Sequence, residues 1–174
     1  ISKTGDGDNY AIGIQGQEAT GTNQFVGGQL FGYQIYGGNG QIYNNNSGAT
    51  YAAAYTAGDI IGVALDLTNN KLYYSKNGDW SNGSGAWSST TFDAAVGAKT
   101  ITDPTLVAQG GYSPVAGFYD SPVAVLSFNF GNGFFGVTPV ASSNADAAGH
   151  GLFEYAVPTG FFTLNTKNLN TYGG

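Results

Sequence analysis

Residues 59 to 78 constrain this chain more tightly than any other stretch. Asp59 to Asp66 reads DIIGVALD, with Ile60, Ile61, Val63 and Leu65 giving β-branched and apolar content and no helix cap beside them. That pattern predicts a buried strand. Thr68-Asn69-Asn70 follows, and asparagine tolerates the left-handed backbone of a tight turn. Lys71 to Lys76 returns as a second strand with Leu72 and Tyr74 on one face, and Asn77-Gly78 turns the chain again. Strand, turn, strand and turn in succession commit the chain to antiparallel β-structure.

Other segments carry the same signal. Ala11-Ile12-Gly13-Ile14 follows a Gly/Asp turn cluster, and Gln29 to Tyr36 alternates before breaking at Gly37-Gly38-Asn39-Gly40. Val123 to Phe130 predicts a strand with Val123, Val125 and Ser127 on one face and Ala124, Leu126, Phe128 and Phe130 on the other. Asp79 to Thr91 reads as a polar loop that holds both tryptophans, and Asp93 to Asp103 as a mixed connection. Helical leanings are confined to Ala141 to His150, and its glycine boundary limits it to a short helical turn at most. Short strands punctuated by glycine predict an all-β fold, an antiparallel β-sandwich or jelly roll. At 174 residues, with no internal repeat and no shift of composition, one domain is expected.

Composition excludes several classes of function. Charged residues are 9% of the chain, against about 25% in an ordinary domain. All five cations are lysine, and net charge is −6, so nucleic acid is excluded as a partner. Apolar residues at 41% set the chain apart from disordered sequences. No apolar run approaches the ~20 residues of a membrane span, and no basic-then-apolar leader opens the chain, so membrane insertion is not expected. Without cysteine there are neither disulfides nor thiolate metal sites, which fits work outside a cell without reliance on disulfides. Because the chain contains no methionine, Ile1 is expected to begin a processed product or a piece of something longer.

Gly58-Asp59-Ile60-Ile61-Gly62-Val63-Ala64-Leu65-Asp66-Leu67, followed by Leu72-Tyr73-Tyr74-Ser75-Lys76-Asn77-Gly78, resembles the core hairpin of the SPRY domain family. That pattern is a Gly-Asp turn, a strand written V-G-V-x-L-D, a short turn, a strand L-x-F and a closing N-G. In family order, Ile12-Gly13-Ile14 resembles the early V-G-I strand and Tyr112-Ser113-Pro114-Val115 the Y-P-x-V segment, while Val125 to Gly131 resembles the closing N-F-G strand. The likeness covers residues 10 to 135, leaving 136 to 174 as a C-terminal extension. Asn70 replaces the usual turn glycine and Tyr74 the usual phenylalanine, both mild changes. The family's aromatic-rich first strand is reduced to Ile1-Ser2-Lys3, so an edge or inner strand is expected to be missing or supplied from outside. The extension, Phe153 to Phe161 and then Leu164 to Leu169, is similar to an ending P-P-T-G-F-x-x-L-x-T-x-N-L that follows SPRY-like domains in bacteriophage and environmental viral proteins. The resemblance implies a bent sandwich of two antiparallel sheets, with a binding surface on loops at one edge and no catalytic activity.

The residues themselves offer little catalytic chemistry. A glycosidase needs two carboxylates facing one another across a cleft. Glutamate occurs only at Glu18 and Glu154, and nothing in the spacing selects Glu18 with Glu154 or Asp120. Asp59 and Asp66 read as turn supports. His150, the single histidine, stands in AAGHG without a G-x-S-x-G elbow and reads as a solvent-exposed loop residue. One histidine and no cysteine cannot make a typical zinc site. Asp6-Gly7-Asp8-Asn9 offers oxygens for calcium but lacks EF-hand spacing, so an Asx turn is expected there and no metal. Gly37 to Gly40 lacks the lysine and following helix of a phosphate loop. No cofactor is expected.

The aromatic residues are the candidate binding set. Tyrosine and tryptophan in Ser/Gly/Asn loops give large contact area at low entropic cost. Tyr33, Tyr36, Tyr43, Trp80, Trp87 and Tyr112 are the expected ligand contacts, drawn from an aromatic set that also holds Tyr51, Tyr55 and Tyr119. The expectation is a non-catalytic binding module of a viral structural or adhesin protein, in a virion or extracellular, holding a protein or glycan. Two alternatives are a building block whose sheet edge neighbouring virion subunits complete, and a glycan-cleaving jelly roll. So few charges imply binding that depends only weakly on salt.

Overall fold

A computed structural model describes residues 1–5, 9–16, 25–107, 111–118 and 124–172. Strands in antiparallel sheets make up almost all of its regular structure. The chain divides into two compact units, Lys3–Val125 and Leu126–Gly174, the second taking in Ile1–Ser2.

The larger unit holds two five-stranded sheets. In the first, β2 (Tyr10–Gly16) lies between β11 (Tyr112–Phe118) and β3 (Gly32–Tyr36), followed by β4 (Ile42–Asn44) and β5 (Ser47–Ala49). In the second, β7 (Lys71–Lys76) is central. It pairs along its whole length with β6 (Ile61–Asp66), and elsewhere with β10 (Lys99–Thr100) and β8 (Asp79–Ser81), which leads on to β9 (Trp87–Ser89). Strand alternation sends Ile12, Ile14, Tyr33, Ile35 and Ile42 from the first sheet, and Ile61, Leu72 and Tyr74 from the second, into a common core. Fully burying one such aliphatic side chain contributes about 2 kcal/mol. Polar bonds reinforce the core as well: the Tyr74 hydroxyl joins the two sheets by donating to the Tyr33 carbonyl at 3.4 Å, and that of Tyr55, from the connection between β5 and β6, donates to the Ile35 carbonyl at 2.8 Å. Gly13 explains the glycine of its segment, since a Cβ there would stand 1.9 Å from the Tyr33 carbonyl oxygen.

The hairpin forms in the register its sequence predicts, Leu65 opposite Leu72 and Val63 opposite Tyr74. Asn70 and Asn77 take the left-handed conformation at φ 57° and 51°. Asp66 supports its turn by accepting from the Asn69 N–H at 2.9 Å and the Asn69 amide at 2.7 Å. Asp59 accepts from the Thr56 N–H and the Asn77 amide at 2.9 and 2.6 Å, and pairs with the Lys76 ammonium at 3.9 Å.

Four expectations about the strands need correction. The strand expected from Gln29 begins at Gly32, because a 3-10 turn at Val26–Gly28 is followed by a bond from the Gly32 N–H to the Gln29 carbonyl. The strand expected over 123–130 is β12, Ala124–Ser127; Asn129 turns the chain beyond it, accepting from the Gly131 N–H at 2.7 Å. Asp79 to Thr91 is a strand pair rather than a loop, its turn held by Asn82, whose side chain accepts from the N–H groups of Ser84 and Ala86. The reduced first strand is present as β1 (Ser2–Gly5), paired with β12. Asp6 to Asp8, where calcium was weighed, and Glu18, Tyr119, Asp120 and Val123 lie outside the described residues.

The C-terminal unit contains a short hairpin, β13 (Phe134–Phe135) with β14 (Thr138–Pro139), a bridge between Asn144 and Phe153, and one helix, α1 (Thr166–Tyr172). The helix lies downstream of the expected 141–150, and Asn165 starts it by accepting from the Asn168 N–H at 2.9 Å. Residues 141–150 instead wrap around Asp146, which is 6% exposed. Its Oδ1 accepts from the N–H groups of Ala148 and His150, and its Oδ2 from the Thr163 N–H, the Thr163 hydroxyl and the Asn168 amide, all within 3.0 Å. Burial alone would raise the pKa of this carboxyl, but its hydrogen bonds outweigh burial and hold it well below the usual carboxylate range. His150 is half-buried, contrary to expectation, with Nδ1 2.6 Å from Asn168 Oδ1.

Candidate functional site

Within the larger unit the six expected contact residues fall into three groups. The first is on the outer face of β3 and β4. Tyr43 stands opposite Gln34 in the register, so Gln34, Tyr36 and Tyr43 share that face. Tyr36 and Tyr43 meet edge to face at 6.3 Å, and Phe25 closes on Tyr43 at 5.4 Å. The Tyr43 hydroxyl donates to Gln41 Oε1 at 2.8 Å, Asn39 braces the same oxygen at 3.1 Å, and the Tyr36 hydroxyl donates to Asn9. Both tyrosines are half-buried and held in fixed orientations.

The second group contains Tyr33 and Tyr112, which meet at 6.1 Å. Tyr33 is 4% exposed, and its hydroxyl accepts from the Thr102 N–H at 3.0 Å. Strand parity decides this: Tyr33 and Ile35 face the opposite sheet, so Tyr33 belongs to the core and presents no surface to a partner. Tyr112, on the edge strand β11, is half-buried, and its hydroxyl donates to the Thr102 carbonyl at 2.9 Å. Burial pushes the Tyr112 phenol up to about 12.

Trp80 and Trp87 form the third group, on β8 and β9 of the second sheet: Trp80 shares the outer face with Ser75, and Trp87 stands opposite Ser81. Trp80 stands opposite Ser75, and Phe92 wedges between Tyr73 and Trp80, edge to face with each at 5.0 and 4.9 Å. The tryptophans are half-buried rather than open, and the Trp87 indole N–H donates to the Ala53 carbonyl at 3.0 Å. Beside Trp80 lies a pocket of about 140 Å³ bordered by Ser88, Ser89, Thr91, Asp93 and Val96. Tyr51 ties down the surrounding segments: its hydroxyl donates to the Gly97 carbonyl at 2.6 Å, and its carbonyl accepts from the Ser81 hydroxyl at 2.7 Å. Phe92 is the contributor that sequence reasoning missed; a lone aromatic in the run Ser-Ser-Thr-Thr-Phe-Asp was its only signal.

Among the described residues no group of three or more His, Cys, Asp or Glu could hold a metal ion. Glu154 is occupied in accepting from the Ala141 N–H at 2.6 Å. What the larger unit offers is rigid aromatic area beside hydroxyls and amides.

Comparison with known proteins agrees with this architecture. The SPRY domain model matches residues 1–101. Ran-binding protein 9 of Danio rerio is 34% identical over 79 residues, 45% of this chain and 13% of that protein. Ran-binding protein 9 of Homo sapiens and the Ran-binding proteins 9/10 homolog of Drosophila melanogaster are each 33% identical over 79 residues, covering 11% and 8% of their lengths. The matched stretch is thus a small part of these relatives. With more than half its length matched by the family model and its strands in two antiparallel sheets, the chain belongs to the SPRY domain family.

Proposed function

We propose that this chain is a non-catalytic binding module that recognises a protein partner through two aromatic surfaces, one around Tyr36 and Tyr43 and the other around Trp80 and Trp87. The observation that carries this reading is the pocket beside Trp80, whose aromatic wall is braced from behind by Phe92. Preorganised aromatic side chains lose little entropy on binding, so their contact area turns into affinity. The relatives are named for a protein ligand, which supports a protein over a glycan. A virion or extracellular setting is part of this proposal and rests on the resemblance drawn from the sequence alone for Phe153 to Phe161 and Leu164 to Leu169.

Selection from a random-peptide display library tests the binding reading. Enriched peptides should lose at least about tenfold in affinity against Trp80→Ala or Tyr43→Ala, with circular dichroism unchanged. Affinity should fall less than about tenfold between low and physiological salt, since few charges take part. Peptides that bind both variants as tightly as the parent would refute the reading.

A building block that packs against neighbouring subunits is a second reading, favoured by the C-terminal unit. Phe134, Val137, Leu152, Leu164 and Leu169 are all exposed there, Val137 at 95%. Sedimentation showing a monomer at every concentration would argue against it.

A further inference from the structure

Resting on the binding reading, we infer that the pocket beside Trp80 takes a guanidinium group, the arginine side chain of the partner protein. Its lining has specific hydrogen-bonding capacity left over. Ser89 is used internally, its hydroxyl donating to the Thr91 carbonyl at 2.9 Å and accepting from the Thr91 N–H at 3.1 Å. Ser81 is buried and committed to Tyr51. Asp93 spends one carboxylate oxygen on the Ala95 N–H at 2.8 Å, while its Oδ2 takes no hydrogen bond among the described residues. The hydroxyls of Ser88 and Thr91 likewise take none among those residues. A small pocket therefore combines one negative charge, free oxygen acceptors and an indole ring held in place by Phe92, and no cation lines it.

A guanidinium matches each of these features. It is planar, carries five N–H donors and no acceptor, and stacks on aromatic faces, whereas an ammonium is compact and more strongly hydrated. Its donors can divide between a carboxylate oxygen and neighbouring hydroxyls. These 174 residues contain no arginine, so a guanidinium in the pocket does not come from within them.

The two indole N–H signals in nuclear magnetic resonance spectra provide the test. N-acetyl-arginine amide at millimolar concentration should shift the Trp80 signal and leave that of Trp87 nearly still. The citrulline analogue, isosteric and uncharged, should bind at least about tenfold more weakly, and the lysine analogue should fall between them. Asp93→Asn keeps an oxygen for the Ala95 N–H and, because Asp93 is exposed, should weaken arginine about two- to fivefold without changing the melting temperature. Equal binding of arginine and citrulline, full affinity in Asp93→Asn, or stronger binding of a methyl glycoside overturns the inference. If no probe moves Trp80 while selected peptides still lose affinity in Tyr43→Ala, the arginine pocket fails and the binding reading stands.

Discussion

Replacing Asp146 by asparagine tests how the C-terminal unit is held. The carboxylate accepts two hydrogen bonds at Oδ1 and three at Oδ2. An amide must put an N–H pair in one of these positions. At the first it strands the N–H groups of Ala148 and His150; at the second it strands the Thr163 N–H and the Asn168 amide. Thr163 and Asn168 are themselves buried, so water cannot easily take over. Two stranded donors, part-buried in the first orientation and buried in the second, at about 1–3 kcal/mol each and eased by local relaxation, give a loss of about 3 kcal/mol. Both tryptophans lie in the larger unit, so their fluorescence does not read this loss directly. Amide hydrogen exchange does: protection at Ala148, His150 and Thr163 should fall about a hundredfold. The pH dependence has a definite sign. A carboxyl whose folded pKa is depressed contributes stability above the unfolded value of about 4 and loses it as pH falls through the folded one. Protection at these amides should therefore fall below about pH 4 in the parent, and Asp146→Asn should lack that component. Protection within twofold of the parent, with the acid dependence intact, would refute the reasoning.

Two further outcomes concern the larger unit. Burial pushes the phenols of Tyr51, Tyr55 and Tyr74 well above their ordinary value and that of Tyr112 up to about 12. A raised folded pKa gives stability that is fully present below about pH 10 and is lost as pH rises beyond it, so tyrosinate absorbance should appear together with loss of sheet circular dichroism; a titration complete near pH 10 with the sheets intact would contradict this. At Asn70, φ is 57°, so Asn70→Ala should cost about 1 kcal/mol in urea unfolding while Asn70→Gly stays near neutral. Equal stability of the two variants would remove backbone strain as the cause.

Much of the fold was legible because its signals are local. Residues 59 to 78 carry their own turns, and the Leu72 and Tyr74 side chains are fully buried, as the alternation requires. The candidate site was legible only in part. Tyr43 and Trp80 border surface where such residues were expected, while Tyr33 turned inward and Phe92 went unnoticed. The helix was missed because its start rests on one asparagine side chain, a signal too slight to stand out among 174 residues.

By itself the sequence determined an antiparallel β chain of the SPRY family, almost free of charge and without arginine. Backbone preference and side-chain alternation act between near neighbours, so residue order alone expresses them. Tertiary structure alone decided that Tyr33 faces the opposite sheet while Tyr36 and Tyr43 do not. It also brought Phe92 against Trp80, and gathered Thr163 and Asn168 around Asp146. Each of these contacts depends on which face of one segment meets another far along the chain, and alternation supplies the period of a strand without saying which face is covered.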